Sequence, residues 1–285
     1  MKKCLSLGYL ATTLGLALGL ASAANAADVT LSPGKIKIAM EVAYPPFESW
    51  QDDAIVGFDA ELAALLSQQT GLTLQLVDTK FSSLILGLSG GRQDAVISAL
   101  YITEERTRQA DAIPYANTGA YIMVRSDSPV APQTEHDLCG LTVGLQQGTS
   151  WVKKLQALSA GDCQQQGKGA IEIKEFPTSP ETLQALLSGN IQAQVDIAGV
   201  VSLFTQRSKG RLKVSSPQTI YPQTLGIYVR KGNTALAQQL TSALKTLRDN
   251  GEYHALLQKY AAYGITDNAP QPCDEKRKCC DERAI

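Results

Sequence analysis

Apolar and polar positions along the chain alternate with two different periods. Lys35-Ile36-Lys37-Ile38-Ala39-Met40 and Leu72-Thr73-Leu74-Gln75-Leu76-Val77 repeat every second residue, as half-buried strands do. Between them Phe58, Leu62, Leu65 and Leu66 fall at i, i+4, i+7 and i+8, one face of a helix that Gly71 can end. Phe81, Leu84, Ile85 and Leu88 return to helical spacing, Gly90-Gly91 ends that helix, and Asp94 to Leu100 reads as a further strand. Strand, helix, strand, helix, strand in this order requires a parallel sheet with right-handed crossovers.

The pattern then starts again. Tyr121 to Arg125 reads as a strand, and Pro129 and Pro132 mark a passage into a second unit. Leu141 to Leu145 is a strand, Gln147-Gly148-Thr149-Ser150 a turn and Trp151 to Leu158 a helix. Ser179 as cap, Pro180 at the first helical position and Glu181 in the first turn open another helix, which Gly189 closes before a strand over Ile191 to Ala198. Leu225 to Arg230 is a strand. Leu236, Leu240, Leu244 and Leu247 then make an amphipathic helix ended by Asn250-Gly251, and Tyr253, Leu256, Leu257 and Tyr260 a last one.

Composition narrows this picture mainly at the ends. With 285 residues and a net charge of −1, the chain has room for one large or two small domains and no long-range pull towards nucleic acid or anionic membranes. Met1-Lys2-Lys3, the apolar run Leu10 to Leu20 and an A-x-A pattern at Ala24 to Ala26 predict a secretory leader over residues 1–26. The run is too short for the roughly 20 residues of a membrane span, and Cys4 precedes it, badly placed for a lipoprotein cleavage site. The mature chain is therefore expected in an exported compartment where disulfides persist. Cys139 and Cys163 are expected to pair there, while the polar tail from residue 267 holds Cys273, Cys279 and Cys280 and is predicted to be disordered.

Ligands of open parallel sheets sit beyond the carboxyl ends of the strands. That edge carries Ser98 to Tyr101 and the helix start Thr103-Glu104-Glu105-Arg106. Arg106 is out of place there, because the first turn of a helix favours anions, and a guanidinium aimed from a strand end can clamp a carboxylate through two parallel hydrogen bonds. Surface pairing with Glu105 is the alternative. The turn at Gln147 to Ser150 offers backbone amides to an anionic group but lacks the lysine and spacing of a nucleotide loop. Gly87-Leu88-Ser89-Gly90-Gly91 matches a hydrolase pattern, yet its serine ends a helix where a nucleophile elbow needs a strand before it. Two histidines, His136 and His254, are isolated in sequence, so neither a histidine triad nor a zinc site is expected, and no cofactor is implied.

Four spaced motifs carry a resemblance. Ala43-Tyr44-Pro45-Pro46-Phe47-Glu48, Gly57-Phe58-Asp59, Ile102-Thr103-Glu104-Glu105-Arg106 and Gln147-Gly148-Thr149 occur in the order shown by the extracellular solute-binding proteins of family 3, the periplasmic polar amino-acid receptors of ABC importers. The likeness runs from about Lys35 to Gly264. It implies a two-lobed α/β fold of the periplasmic-binding-protein type II, each lobe a mainly parallel sheet flanked by helices, with residues 27–117 and 222–266 in lobe one, 118–221 in lobe two and two hinge strands between them.

The resemblance also implies a set of roles. Arg106 would hold the α-carboxylate of an amino acid, helped by backbone amides near Tyr101 and Ser150 and by the Thr149 turn of the second lobe. Ser98, Ala99 and Tyr101 would line the strand edge, Tyr44 and Phe81 would sandwich the side chain, and Glu41 or Asp196 would take a positive group. The expected partners are a polar amino acid, a basic one included, and the membrane and ATPase subunits of an ABC permease, with the receptor itself a monomer. Two departures stand out. Tyr101 occupies a position where the family shows serine or threonine, and Asp196 lies one residue before the family's aspartate, a shift that turns a strand side chain to the opposite face. The rival reading, on the same fold, is an exported lyase of the cyclohexadienyl dehydratase kind, which needs a cleft carboxyl of raised pKa as general acid, and Glu41 and Asp196 are the candidates.

Overall fold

The computed structural model describes residues 29–268. In chain order it contains β1 (Lys35–Met40), β2 (Ala43–Tyr44), β3 (Glu48–Gln51), β4 (Ala54–Val56), α1 (Phe58–Thr70), β5 (Thr73–Asp78), α2 (Leu84–Ser89), β6 (Ala95–Val96), α3 (Glu104–Thr107) and the long β7 (Ala110–Arg125). There follow β8 (Thr142–Gln146), α4 (Ser150–Leu158), β9 (Glu172–Phe176), α5 (Ser179–Leu187), β10 (Ala193–Ile197), α6 (Ala198–Arg207), β11 (Leu212–Val214), β12 (Ile220–Arg230), α7 (Thr234–Asp249), α8 (Glu252–Lys259) and β13 (Thr266–Asp267).

Ten strands form one sheet in the order β5-β1-β6-β12-β7-β10-β8-β9, with β11 and β13 paired to β7, and β2, β3 and β4 form a separate small antiparallel sheet. β1 lies parallel to both β5 and β6, and β8 parallel to both β9 and β10, as the alternating and helical periods required. The two halves are the two lobes of the fold. β7 and β12 bind them together. The first part of β7 pairs with β12 from Asp111↔Val229 to Thr118↔Gln223, and its second part pairs with β10 from Ala120↔Ile197 to Met123↔Gln194. Gly119 stands where the partners change. A Cβ there would lie 2.6 Å from the Cβ of Thr219, so only glycine lets the two connecting strands approach so closely.

Local signals explain the helices that frame the cleft. In α1, Phe58, Leu62 and Leu66 are buried and Gly71 ends the helix in the left-handed region, as the spacing predicts. Gly57 precedes it at φ 128, and a Cβ there would meet the Phe47 carbonyl oxygen at 2.3 Å. That approach lets the amides of Phe58 and Asp59 donate to the carbonyls of Pro46 and Phe47, which ties α1 to the loop after β2. The disulfide Cys139–Cys163 is present, with its Cα atoms 5.5 Å apart, linking the start of lobe two to the end of α4.

Three expectations need correction. The strand expected over Asp94 to Leu100 is regular only at Ala95–Val96, because Ala99 adopts φ 44 and turns the chain out of the sheet. The helix carrying Arg106 is a single turn, Glu104–Thr107, too short to develop much dipole, so the electrostatic penalty argued for a cation there is small. The cap of α5 is Thr178, not Ser179: Thr178 accepts from the Glu181 amide and Glu181 returns a bond to the Thr178 amide. Moving the cap back one residue leaves Ser179 buried and available for other bonds.

Candidate functional site

The cleft lies where the carboxyl ends of β1 and β6 meet the loops after β8 and β9. On the lobe-one side, Thr103 caps α3 by accepting from the Arg106 amide at 3.3 Å, which sets the Arg106 side chain pointing back across Phe81. The guanidinium carbon stands 5.5 Å from the centre of the Phe81 ring, Nη1 donates to Tyr101 O at 2.9 Å and Nη2 donates to Gly148 O of lobe two at 3.0 Å. The pairing of Arg106 with Glu105 does not occur. Glu105 instead meets Lys153 of α4 at 2.6 Å, and Glu104 pairs with Arg108. Arg106 thus makes no ion pair among the described residues. Burial pulls its pKa below the usual guanidinium value, but that value is so high that the group stays cationic.

Across the cleft, Thr149 precedes α4, but its hydroxyl donates back to Gln146 O at 2.8 Å and does not cap the helix. The first turn of α4 therefore receives no capping side chain, and its Ser150 and Trp151 line the slot together with Arg106.

The acidic side is built from both lobes. Asp196 on β10 is buried, and its carboxylate accepts from the Tyr44 hydroxyl of lobe one, the Ser179 hydroxyl, Gln194 Nε2 at 2.9 Å and the Ile197 amide at 2.8 Å. Despite its position in the sequence, the side chain reaches the cleft. Glu41 at the end of β1 accepts from the Phe81 amide at 3.1 Å and from Gln146 Nε2 of lobe two, and its own amide donates to Ser98 Oγ at 3.1 Å. Burial raises the pKa of both Glu41 and Asp196, and the donors aimed at them work in the opposite direction. No lysine, arginine or histidine forms an ion pair with either among the described residues.

Between the cationic and acidic sides, Tyr44, Phe81, Ala99, Tyr101, Arg106, Thr149, Ser150 and Trp151 enclose about 10 Å³. A single water needs roughly that much. The Tyr101 ring lines the slot, standing edge-on to Trp151 with centroids 5.4 Å apart. The Tyr101 hydroxyl, Trp151 Nε1, Gln146 Oε1 and Gln194 Oε1 are buried there without a protein partner. A larger cavity of about 340 Å³ adjoins the slot on the outer side of Arg106, bounded by Ser82, Ile85, Glu105, Gly148 and Lys153.

Most residues singled out from the sequence therefore converge: Tyr44, Phe81, Tyr101, Arg106, Thr149 and Ser150 line the slot, and the buried Glu41 and Asp196 stand behind it, bonded to Gln146 and Tyr44 of the opposite lobe. Ser98 and Ala99 differ. The Ser98 hydroxyl is held between the Glu41 amide and Glu48, and the Ala99 amide donates to Asp59 at 2.6 Å, so Ala99 offers the slot only its methyl group. Sequence reasoning missed Gln146, Trp151, Ser179 and Gln194. Gln194 was within reach of the strand period, since it lies two residues before Asp196 on the same face. Ser179 was hidden by a plausible capping role.

The profile of the bacterial extracellular solute-binding proteins, family 3, matches residues 36–263. The chain belongs to that family. Among relatives of this family 3 protein, the L-cystine-binding protein TcyJ of Escherichia coli is 27% identical over 82% of this chain and 85% of its own. The L-arginine-binding protein of Pseudomonas aeruginosa is 29% identical over 81% of this chain and 89% of its own. Among solved structures, a mutant of ArgBP from T. maritima superposes with a TM-score of 0.72 at 31% identity, covering 80% of this chain and 96% of that one. The two-lobed fold read from the sequence is thus that of solved family members.

Proposed function

We propose that this family 3 protein is the amino-acid receptor of an ABC importer, that it takes a polar and preferably basic amino acid, and that closing of its lobes is the binding event. One observation carries the reading. A cation without an acidic partner, Arg106, and two carboxyls without a basic partner, Glu41 and Asp196, border one cleft between two lobes. An α-amino acid complements that arrangement: its carboxylate suits Arg106 with the amides of Ser150 and Trp151, its ammonium suits Asp196, and a basic side chain suits Glu41. The relatives are named for binding arginine and cystine, which favours a binding protein over the dehydratase reading. The bonds at Asp196 point the same way, since four donors aimed at a carboxyl favour the ionised acceptor over a protonated acid.

Closure follows from the geometry of the cleft. Tyr44 with Asp196, Glu41 with Gln146, Arg106 with Gly148 and Glu105 with Lys153 all join one lobe to the other, so the described state is closed and its slot is too small for an amino acid. Lobes hinged on β7 and β12, with residues 27–117 and 222–266 on one side and 118–221 on the other, would part to admit ligand and close over it, the ligand favouring the closed state by touching both. We place the receptor outside the cytoplasmic membrane after removal of residues 1–26, which lie outside the described residues, as does the cysteine-bearing tail. It would act there as a monomer handing its ligand to the permease.

A thermal-shift panel of L-arginine, L-lysine, L-histidine, L-glutamine and L-cystine on refolded, ligand-free protein tests the reading. Ligand at 100 times Kd should add about 2.7 kcal/mol of stability. Turnover of prephenate with no amino-acid shift would instead establish the lyase.

A further inference from the structure

Behind the strand edge that borders the cleft lie two carboxyls that form no ion pair among the described residues. Glu48 opens β3 and Asp59 follows Phe58 in α1, and both are fully buried. Their bonds lead directly to that edge. Asp59 Oδ2 accepts from the Ala99 amide at 2.6 Å and Oδ1 from the Tyr115 hydroxyl at 2.8 Å. Glu48 Oε1 accepts from Ser98 Oγ at 2.6 Å, and the same Ser98 oxygen accepts from the Glu41 amide at 3.1 Å. The second Glu48 oxygen, Oε2, is buried and receives no N–H or O–H from the protein, and the Glu48 and Asp59 carboxyls stand within hydrogen-bonding reach of each other.

No lysine, arginine or histidine lies within ion-pair distance of either carboxyl among the described residues. The titratable groups that face the pair are Glu41 and Tyr44 from the cleft side, Tyr115 on β7, and Tyr253 and Tyr260 from α8 and its end. All of these become negative or stay neutral, so none can compensate a second negative charge. Two adjoining carboxylates in a dry interior cannot both ionise.

We propose that Glu48 and Asp59 share one proton, with Glu48 Oε2–H donating to the Asp59 carboxylate, and that this proton-linked pair positions the binding edge by holding Ser98, Ala99 and, through Ser98, Glu41. The proton answers the unpartnered oxygen. It also leaves Asp59 with the negative charge that binds the Ala99 amide and so stabilises Ala99 at φ 44, a conformation that costs a residue with a side chain. Burial, and next the Asp59 charge, push Glu48 well above the ordinary carboxyl range, while burial holds Asp59 up at about 7. The word binding rests on the function proposed above; the shared proton does not.

The test needs no ligand, so its failure is separable from failure of the amino-acid reading. Infrared spectra of the wild type at neutral pH should show a protonated-carboxyl stretching band that Glu48→Gln abolishes. The carboxamide keeps both contacts, accepting from Ser98 and donating to Asp59, without a titrating proton. Amide resonances of Glu41 and Ala99 should move together as pH rises through and above 7 in the wild type and hold still in Glu48→Gln. Glu48→Ala, which leaves the Ser98 hydroxyl unreceived, should displace the Glu41 resonance at every pH. Raised folded-state pKa values give stability that is complete below the unfolded carboxyl range near 4 and is lost as pH climbs through the folded values. The thermal midpoint of the wild type should therefore fall towards alkaline pH more steeply than that of Glu48→Gln. Absence of the band from the wild type, or amides that titrate equally in both proteins, would overturn the proposal. Should Glu48→Gln fail to fold, the band and the pH response of the wild type still decide.

Discussion

Replacing Arg106 by alanine separates the site from the fold. In the closed state the guanidinium makes two hydrogen bonds, to Tyr101 O at 2.9 Å and Gly148 O at 3.0 Å. Tyr101 O keeps the Tyr228 hydroxyl at 2.7 Å after truncation, so only Gly148 O loses its partner. One lost bond to a charged donor costs about 1.5 to 3 kcal/mol when fully buried, and less at this half-buried position. The variant should therefore remain folded. Ligand binding is another matter, because among the described residues Arg106 is the one cation lining the slot and it forms no ion pair. Removing one partner of a desolvated, charge-assisted pair costs about 2 to 5 kcal/mol, or roughly 30-fold to several thousandfold in Kd. Arg106→Lys should recover only part of this, since an ammonium cannot reach both a ligand carboxylate and the two carbonyls with one planar fork. Arg108, exposed and paired with Glu104, is the control, and Arg108→Ala should bind within about threefold of wild type. Calorimetry with the best amino acid from the panel measures all three. An Arg106→Ala protein that stays folded and binds within threefold of wild type would refute the carboxylate clamp.

The other expectations concern different parts of the chain. Since Glu41 and Asp196 have raised pKa values and must be ionised to hold a cationic group, affinity for a basic amino acid should fall as pH is lowered from neutral, and Asp196→Asn should flatten that fall while weakening binding; Kd measured against pH checks both. Reducing the Cys139–Cys163 bond, which spans 24 residues, should lower unfolding free energy by about 3 kcal/mol, measured by denaturant titration with and without reductant. Gly119→Val should force Thr219 away and cost about 1 to 3 kcal/mol, with altered domain closure visible by small-angle scattering; an unchanged protein would show that the connecting strands yield easily. Amino-terminal sequencing of the exported protein should begin near residue 27.

What the chain alone determined was the elements and their order. Strand and helical periods and their glycine stops are local, so α1, β1, β5, β8 and the helices after β12 could be read from spacing. Of the cleft residues, Arg106 stood out as a cation in the first turn of a helix, whereas Glu41, Tyr44, Phe81 and Asp196 were legible only through the family resemblance. Tertiary structure decided the rest, because it turns on contacts between residues far apart in sequence. Tyr44 and Asp196 are 152 positions apart and Glu41 and Gln146 are 105, and no periodicity relates them. The strand past Val96 ended early because Asp59 captures the Ala99 amide, and Ser179 joined the site because Thr178 took the cap. The long β7 was half unseen for a similar reason: burial from Ala110 to Ala120 does not alternate, with Pro114 exposed and Tyr115 and Ala116 both buried, so the two-residue period is missing, and only the pairing with β12 and β10 shows that one continuous strand joins the lobes.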